Sequence, residues 1–265
     1  MLPIALTIAG SDPSGGAGLQ ADLKTFHQFH VFGQAVVTLV TVQNTLGVRQ
    51  VEMMPADLVT RQIRALLDDF PPHAAKTGAL GNVEVVLAVA RCSLDFEFPL
   101  VVDPVMISKH GAPLLSADAV DSIRAALLPR AALVMPNLAE AAALTGRAVD
   151  SVAQMRDAAR ALTDLGAHAA LVKGGHLDGD AVDVLFDGRV WHEFVAPRVP
   201  TRHTHGTGCT YSAAVTAGLA AGMDLVAAVT RGKEFVTRAI ETNPGLGRGA
   251  GPLNHWATWG GWPEG

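Results

Sequence analysis

The chain is poor in charge and in sulfur, and it has no long apolar run. Only 17% of its 265 residues are Asp, Glu, Lys or Arg, and the formal net charge is −5. Lys and Arg do not cluster, which argues against a nucleic-acid footprint. No block of like charge marks a solvated tail or a polybasic anchor. No stretch approaches the ~20 consecutive apolar residues that a membrane span requires. The two cysteines, Cys92 and Cys209, lack a C-x-x-C companion and zinc-like spacing, so no disulfide framework is implied. The apolar start MLPIALTIAG has no basic residue ahead of it and no small-residue cleavage site behind it. It reads as a buried strand and not as a signal peptide. A cytoplasmic protein is expected.

Two common phosphate-binding signatures are missing as well. There is no G-x-x-x-x-G-K-[ST], which excludes a P-loop. No G-x-G-x-x-G follows a strand, and GLGRGAGP near the C-terminus follows a helical pattern instead. Linkers, repeats and low-complexity segments are absent too, so residues 1–265 are expected to form one domain. Hydrophobic residues make up 49% of the chain, enough at this length for a substantial core.

Short apolar runs alternate with helical patterns almost from end to end. PIALTIAG and GQAVVTLVTV read as strands, as do the β-branched runs PLVVDPV, AALVMPN and AALVKGG. The 3.6-residue pattern predicts helices over 18–30, 56–70, 83–92, 117–128, 137–145, 151–165, 208–221 and 224–242. Such alternation signals βαβ units around a parallel sheet. VRQVEMM (48–54) reads as a small extra strand, and the Asp-Gly in AVDVLFDGRVWHEF is a hairpin signal. An α/β fold is expected, with a mostly parallel sheet, an antiparallel edge and helices on both faces.

Ligands in open α/β sheets collect beyond the carboxyl ends of the strands. Asp12, Gln43, Asp103 and Asn137 fall at such ends; singly each is as readily a turn former, together they suggest a site. HGTGCTYSAA (205–214) suggests where a phosphate would sit. Gly206 and Gly208 let consecutive backbone N–H groups turn toward one point, and the helix that follows adds its positive end. The small residues Ser212, Ala213, Ala214, Ala217 and Gly218 would let that helix pack close to the sheet. An ordinary glycine turn before a buried helix is the plainer alternative.

AGSDPSGGAGLQADLKTF, TVQNTLGV, DPVMISKHG, MPNLAEAAALTG, VKGGHL, THGTGCTYSAA and GRGAGPLNH follow one another along nearly the whole chain. In this order they resemble the hydroxymethylpyrimidine and hydroxymethylpyrimidine-phosphate kinases of thiamine synthesis, in the ribokinase-like superfamily. The resemblance implies a ribokinase-like fold and a bifunctional enzyme. It would use ATP and Mg2+ to phosphorylate 4-amino-5-hydroxymethyl-2-methylpyrimidine and then its monophosphate, as a homodimer. A pyridoxal or pyridoxine kinase of the same lineage is a near alternative, and a non-catalytic pyrimidine-binding sensor a distant one.

Carried over residue by residue, the resemblance places Gln43, Gly10 and Asp22 at the pyrimidine. The carboxamide of Gln43 both donates and accepts, matching a ring nitrogen beside an amine. Gly10 would let the backbone approach the ring, and Asp22 would stand beside the substrate or face solvent on its helix. Asp103 is placed at the metal, and Asn137, Glu140 and Lys173 at the nucleotide, although Asn137 and Glu140 equally match a helix capping box. Gly206, Thr207 and Gly208 would hold the transferring phosphate. Cys209 would accept the hydroxyl proton, since a helix start favours thiolate. Ala79 stands where the family often has methionine, which leaves the pyrimidine wall thinner. Lys109 falls in an expected lid, and His203 and His205 read as loop histidines.

Overall fold

A computed structural model describes residues 2–109, 111–175, 177 and 179–258. Nine strands form one sheet: β1 (Ile4–Ser11), β2 (Phe32–Asn44), β3 (Gly47–Met53), β4 (Ala74–Thr77), β5 (Leu100–Val102), β6 (Leu133–Val134), β7 (Ala170–Lys173), β8 (Ala181–Phe186) and β9 (Trp191–Ala196). Their order is β3-β2-β1-β4-β5-β6-β7-β8-β9. From β2 to β7 every pairing is parallel. β3 closes one edge antiparallel, and the β8–β9 hairpin closes the other.

The two expected exceptions to the alternation therefore become the two edges. At the hairpin Asp187 accepts from the N–H groups of Arg189 and Val190, which fixes the turn. The runs containing Pro104 and Pro136 form shorter strands than their apolar content suggests. Proline has no N–H for the ladder, and β5 and β6 stop before it.

The helices are α1 (Gly18–Gln28), α2 (Ala56–Asp69), α3 (Val83–Cys92), α4 (Ala119–Ser122), α5 (Leu138–Thr145), α6 (Val152–Asp164), α7 (Thr207–Ala220) and α8 (Leu225–Glu241). The predicted helix at 117–128 is α4 running into a π-turn (Ile123–Leu127) and a 3₁₀ turn that ends at Arg130. One core joins α2 through α6 to the sheet, around residues such as Ile63, Val89, Ile123 and Leu162. The other joins α1, α7 and α8 to the opposite face, around Phe26, Tyr211, Ala214 and Phe235.

Helix α7 is buried along nearly its whole length. A helix that is apolar on all sides belongs inside, and its small residues set how close the neighbours come. A Cβ on Gly218 would lie 3.0 Å from the Cβ of Ala228 on α8.

The central strand β4 is the element that sequence patterning missed. Its sequence, AAKT, is short, poor in β-branched residues and interrupted by a lysine. Yet it pairs with both β1 and β5, and all four of its residues are buried.

Candidate active site

Parallel strands bring their carboxyl ends to one edge of the sheet, and the singled-out residues gather there. Asp103 follows β5, and Lys173 ends β7. Lys173 Nζ donates to Asp103 Oδ1 at 2.9 Å, and Ser212 Oγ on α7 donates to Asp103 Oδ2 at 2.9 Å. A Cβ on Gly208 would lie 3.4 Å from Lys173 Nζ and 3.8 Å from Asp103 Oδ2. The glycine turn therefore sits directly against this charged pair, whose two members are themselves 70 positions apart in sequence.

Gly206 caps α7 in the left-handed region, with φ +82°, and a Cβ there would fall 1.9 Å from the carbonyl oxygen of Gly16. No L side chain fits. Gly206→Ala is expected to lose about 1–3 kcal/mol of stability from strain and clash and to disrupt the turn, measured by urea unfolding. An unchanged unfolding midpoint would show that the contact between these two loops yields easily.

The backbone donors differ from expectation at one position. The N–H of Thr207 is turned back to the Thr204 carbonyl, 3.3 Å away. The N–H groups of Gly206, Gly208 and Cys209 have no partner among the described residues. Unpaired N–H groups at a helix start are what an anion hole requires, and Cys209 offers one where that of Thr207 is turned away.

Cys209 itself departs further. Burial pushes its thiol up to about 11; Lys76 pulls it down, but Asp22 and Asp103 push it up again, and the Gly18 N–H donating to the sulfur does not restore the balance. The helix start is thus outweighed, and the group is a neutral thiol at neutral pH, not the thiolate that its position alone suggested.

Asp22 is sealed from solvent on the inner side of α1. It accepts from Thr7 Oγ1 at 2.6 Å and from Lys76 Nζ at 2.8 Å. Lys76, on β4, is equally buried, and the charge of Asp22 beside it holds its ammonium charged against the cost of burial. This pair lies beneath the site, with Cys209 within its field. It is the largest feature that sequence reading did not find. Asp22 in LQADLKTF gives no hint that its partner is 54 residues away.

His205 is also not a plain loop histidine. Its Nε2 is 2.8 Å from Asp12 Oδ2, and both residues are buried. Asp12 in addition accepts from the Ser14 N–H and Oγ and from the Ala17 N–H. One carboxylate thereby ties the β1–α1 loop to the glycine turn, joining residues 193 apart in sequence. The His205 N–H donates to the Gly251 carbonyl, and the Gly249 N–H to Thr45 Oγ1. The glycine-rich C-terminal segment is therefore a strap from the β2–β3 hairpin to the glycine turn.

Asn137 and Glu140 form the complete capping box at the start of α5, with bonds of 2.8 and 2.9 Å. Glu140 still belongs to the charged cluster. Burial pushes it up to about 7, Lys173 pulls against that, and Asp103 adds to it.

Gln43, half-buried near the end of β2, pairs through its backbone with β3, and its side-chain carboxamide has no hydrogen-bond partner among the described residues. Gly10 is buried on β1, and a Cβ there would meet Leu39 at 2.5 Å and the Ala79 Cβ at 3.6 Å. Its missing side chain serves packing against Leu39 first. Lys109 is exposed in the turn closed by the Ile107–Pro113 bridge, and its neighbour His110 lies outside the described residues.

A groove of about 440 Å³ is lined by Val195, Pro197, Lys233, Thr237 and Glu241 among others. Lys233 Nζ donates to Asp183 Oδ2 at 2.8 Å, and Asp183 Oδ1 accepts from the Gly174 N–H at 3.0 Å. That chain of contacts links one wall of the groove to Gly174, the residue after Lys173.

The family model for phosphomethylpyrimidine kinase matches residues 12–254. The chain belongs to this family. It is 49% identical over 256 residues to the hydroxymethylpyrimidine/phosphomethylpyrimidine kinase of Streptomyces coelicolor, covering 96% of this chain and 95% of that one. Its fold is similar to that of the pyridoxal kinase of Bacillus subtilis solved as an ADP complex, with TM-score 0.91, 38% identity and coverage of 97% and 98%. It is also similar to phosphomethylpyrimidine kinase from Clostridium difficile, with TM-score 0.80, 40% identity and coverage of 90% and 99%.

Proposed function

We propose that this kinase transfers the γ-phosphoryl group of ATP to 4-amino-5-hydroxymethyl-2-methylpyrimidine, then to the resulting monophosphate, within thiamine synthesis. The observation that carries this reading is the junction of Gly208 with the Lys173–Asp103 pair at the carboxyl edge of the sheet. Unpaired N–H groups and a lysine then face one point, where a γ-phosphate would develop charge. Phosphoryl transfer relies mainly on positioning and charge stabilisation, and this arrangement supplies both. The groove beside Lys233 would take the nucleotide base, with the phosphates running toward Lys173.

The hydroxyl oxygen of the pyrimidine would approach next to Cys209. Because that thiol is neutral, it contributes a small polarizable contact, and the hydroxyl proton leaves late in a loose transition state. Gln43 would pair with the ring nitrogen and the amine, over Gly10 and Ala79. Asp22 would act from beneath, by keeping Lys76 charged.

Magnesium fits the donor set. Among the described residues no group of three or more His, Cys, Asp or Glu side chains gathers to hold a metal alone, but Mg2+ is commonly held by one or two carboxylates together with substrate phosphates. Asp103 and Glu140 would hold it; burial is the main reason that Glu140 holds its proton, and the neighbouring charge of Asp103, which a cation would offset, adds to that. When bound it would neutralise charge on the transferring group.

Similarity to relatives favours the pyrimidine over vitamin B6, since the pyrimidine kinases reach 43–49% identity and the pyridoxal kinase structures 35–38%. We also read the chain as one cytoplasmic kinase domain, where ATP is available. A homodimer would cover the apolar Val40, Val42 and Met53 exposed on β2 and β3. ATP consumption measured with hydroxymethylpyrimidine, its monophosphate and pyridoxal side by side tests the substrate reading. Gln43→Leu should weaken pyrimidine binding by about 1–3 kcal/mol, the cost of stranding a buried polar group, and leave ATP affinity unchanged. Unaltered pyrimidine affinity would remove Gln43 from the site.

A further inference from the structure

Two successive acceptors of different charge must enter the site if the proposed function holds, and the inference that follows rests on that reading. The first acceptor is a neutral alcohol. Its oxygen attacks the γ-phosphorus, a new O–P bond forms, and the bond to the β–γ bridging oxygen breaks with its electron pair leaving on ADP. The hydroxyl proton passes to an oxygen of the transferred group and then to solvent. The second acceptor is a phosphate monoester, mostly dianionic at neutral pH. One of its oxygens attacks in the same way and forms an anhydride bond, and no proton need be removed. The attacking oxygen occupies the same place beside residue 209 in both steps, because the γ-phosphate has one anion hole.

The charges around that place are already balanced. Lys76 is paired with Asp22 at 2.8 Å, and Lys173 with Asp103 at 2.9 Å. Asp12 and His205 make a third partnership at 2.8 Å behind the turn, and the capped carboxyl of Glu140 stands on the far side of Lys173. The charges that act most on the Cys209 sulfur are those of Lys76, Asp22 and Asp103. Among the described residues, the two lysines whose charge reaches Cys209, Lys76 and Lys173, already face carboxylates, so a further carboxylate fixed at position 209 would have no cation of its own. A carboxylate there would be uncompensated, and it would meet the incoming monophosphate with like charge.

We propose that Cys209 is an acceptor-specificity residue: its uncharged thiol, set between two self-balanced ion pairs, lets one site take first an alcohol and then an anionic phosphate monoester. The thiol of Cys209 serves by being small, uncharged and able to touch either acceptor oxygen.

The test compares Cys209→Asp and Cys209→Ser with the unaltered chain, measuring kcat/KM at saturating ATP for each acceptor separately. The expected result for C209D is a selective loss. Its ratio of monophosphate to alcohol turnover falls roughly 100-fold, since like charges in contact at a desolvated site are strongly unfavourable. The neutral C209S keeps that ratio within about threefold, whatever happens to its absolute rates. Equal loss on both acceptors in C209D, or an equal shift of the ratio in C209S, overturns the proposal. Should C209D fail to fold, Cys209→Glu and Cys209→Gln give a second pair of similar size that differs by one charge. Calorimetric titration should then show monophosphate binding weakened more by the glutamate than by the glutamine, and equal weakening overturns the idea. An unaltered chain that phosphorylates neither acceptor refutes the functional reading itself, a result distinct from every outcome above.

Discussion

Lys76→Met is expected to destabilise the protein by about 3–5 kcal/mol, the usual cost of leaving one member of a buried ion pair alone. Asp22 would keep only Thr7 as a partner, in surroundings with no access to water. Replacing both members, as Lys76→Met with Asp22→Leu, should recover most of the loss, because a buried pair and a well-packed apolar pair are often nearly equal in stability. The pH dependence has a definite sign. Burial raises the Asp22 carboxyl above its ordinary value, and without Lys76 nothing of opposite charge opposes that rise. The folded single variant then binds a proton more readily than the unfolded chain, so its deficit shrinks in acid and grows as pH rises above about 4. Urea unfolding at several pH values measures this. A single variant as stable as the double one would show that the pair is not the anchor of this region.

Lys173→Ala is expected to lower kcat/KM for ATP by about 10²–10³-fold, the range seen when one donor to a developing anion is removed. The ammonium of Lys173 lies against Gly208 and Asp103, where the γ-phosphate would sit, and it is at the opposite end of the cluster from Gln43 on β2. Pyrimidine binding, measured by direct titration, should therefore stay near its unaltered value. Loss of pyrimidine binding with ATP affinity retained would move Lys173 to the other pocket. Unaltered turnover would leave it a purely structural partner of Asp103.

Much of the site was legible as residue types at strand ends. Asp103, Lys173 and the Gly206–Gly208 turn follow a simple rule: polar or glycine residues directly after an apolar run mark the carboxyl edge of a parallel sheet. Glu140 carried two readings because a capping box and a charged site use the same residues; in α5 it completes the capping box and also lies in the field of Lys173 and Asp103. The reading failed where a side chain took its meaning from something distant. The thiolate expected at Cys209 followed from a local feature, the helix start. The structure surrounds that thiol with Asp22 and Asp103 and with enough protein to desolvate it, and those influences are larger than the helix end.

Local sequence determined the alternation of strands and helices, both antiparallel edges, the glycine cap of α7 and the family to which the chain belongs. Each of these depends on neighbours within a few residues or on an order of motifs that can be read along a line. Only the tertiary structure decided that AAKT is a central strand, that Lys76 serves Asp22 and that His205 serves Asp12. It likewise decided which N–H groups remain free for an anion. The physical reason is that burial and Coulomb energy depend on distance in space. A lysine in a short alanine-rich segment becomes an internal cation only when α1 brings a carboxylate within 2.8 Å of it, and no periodicity in the chain records that approach.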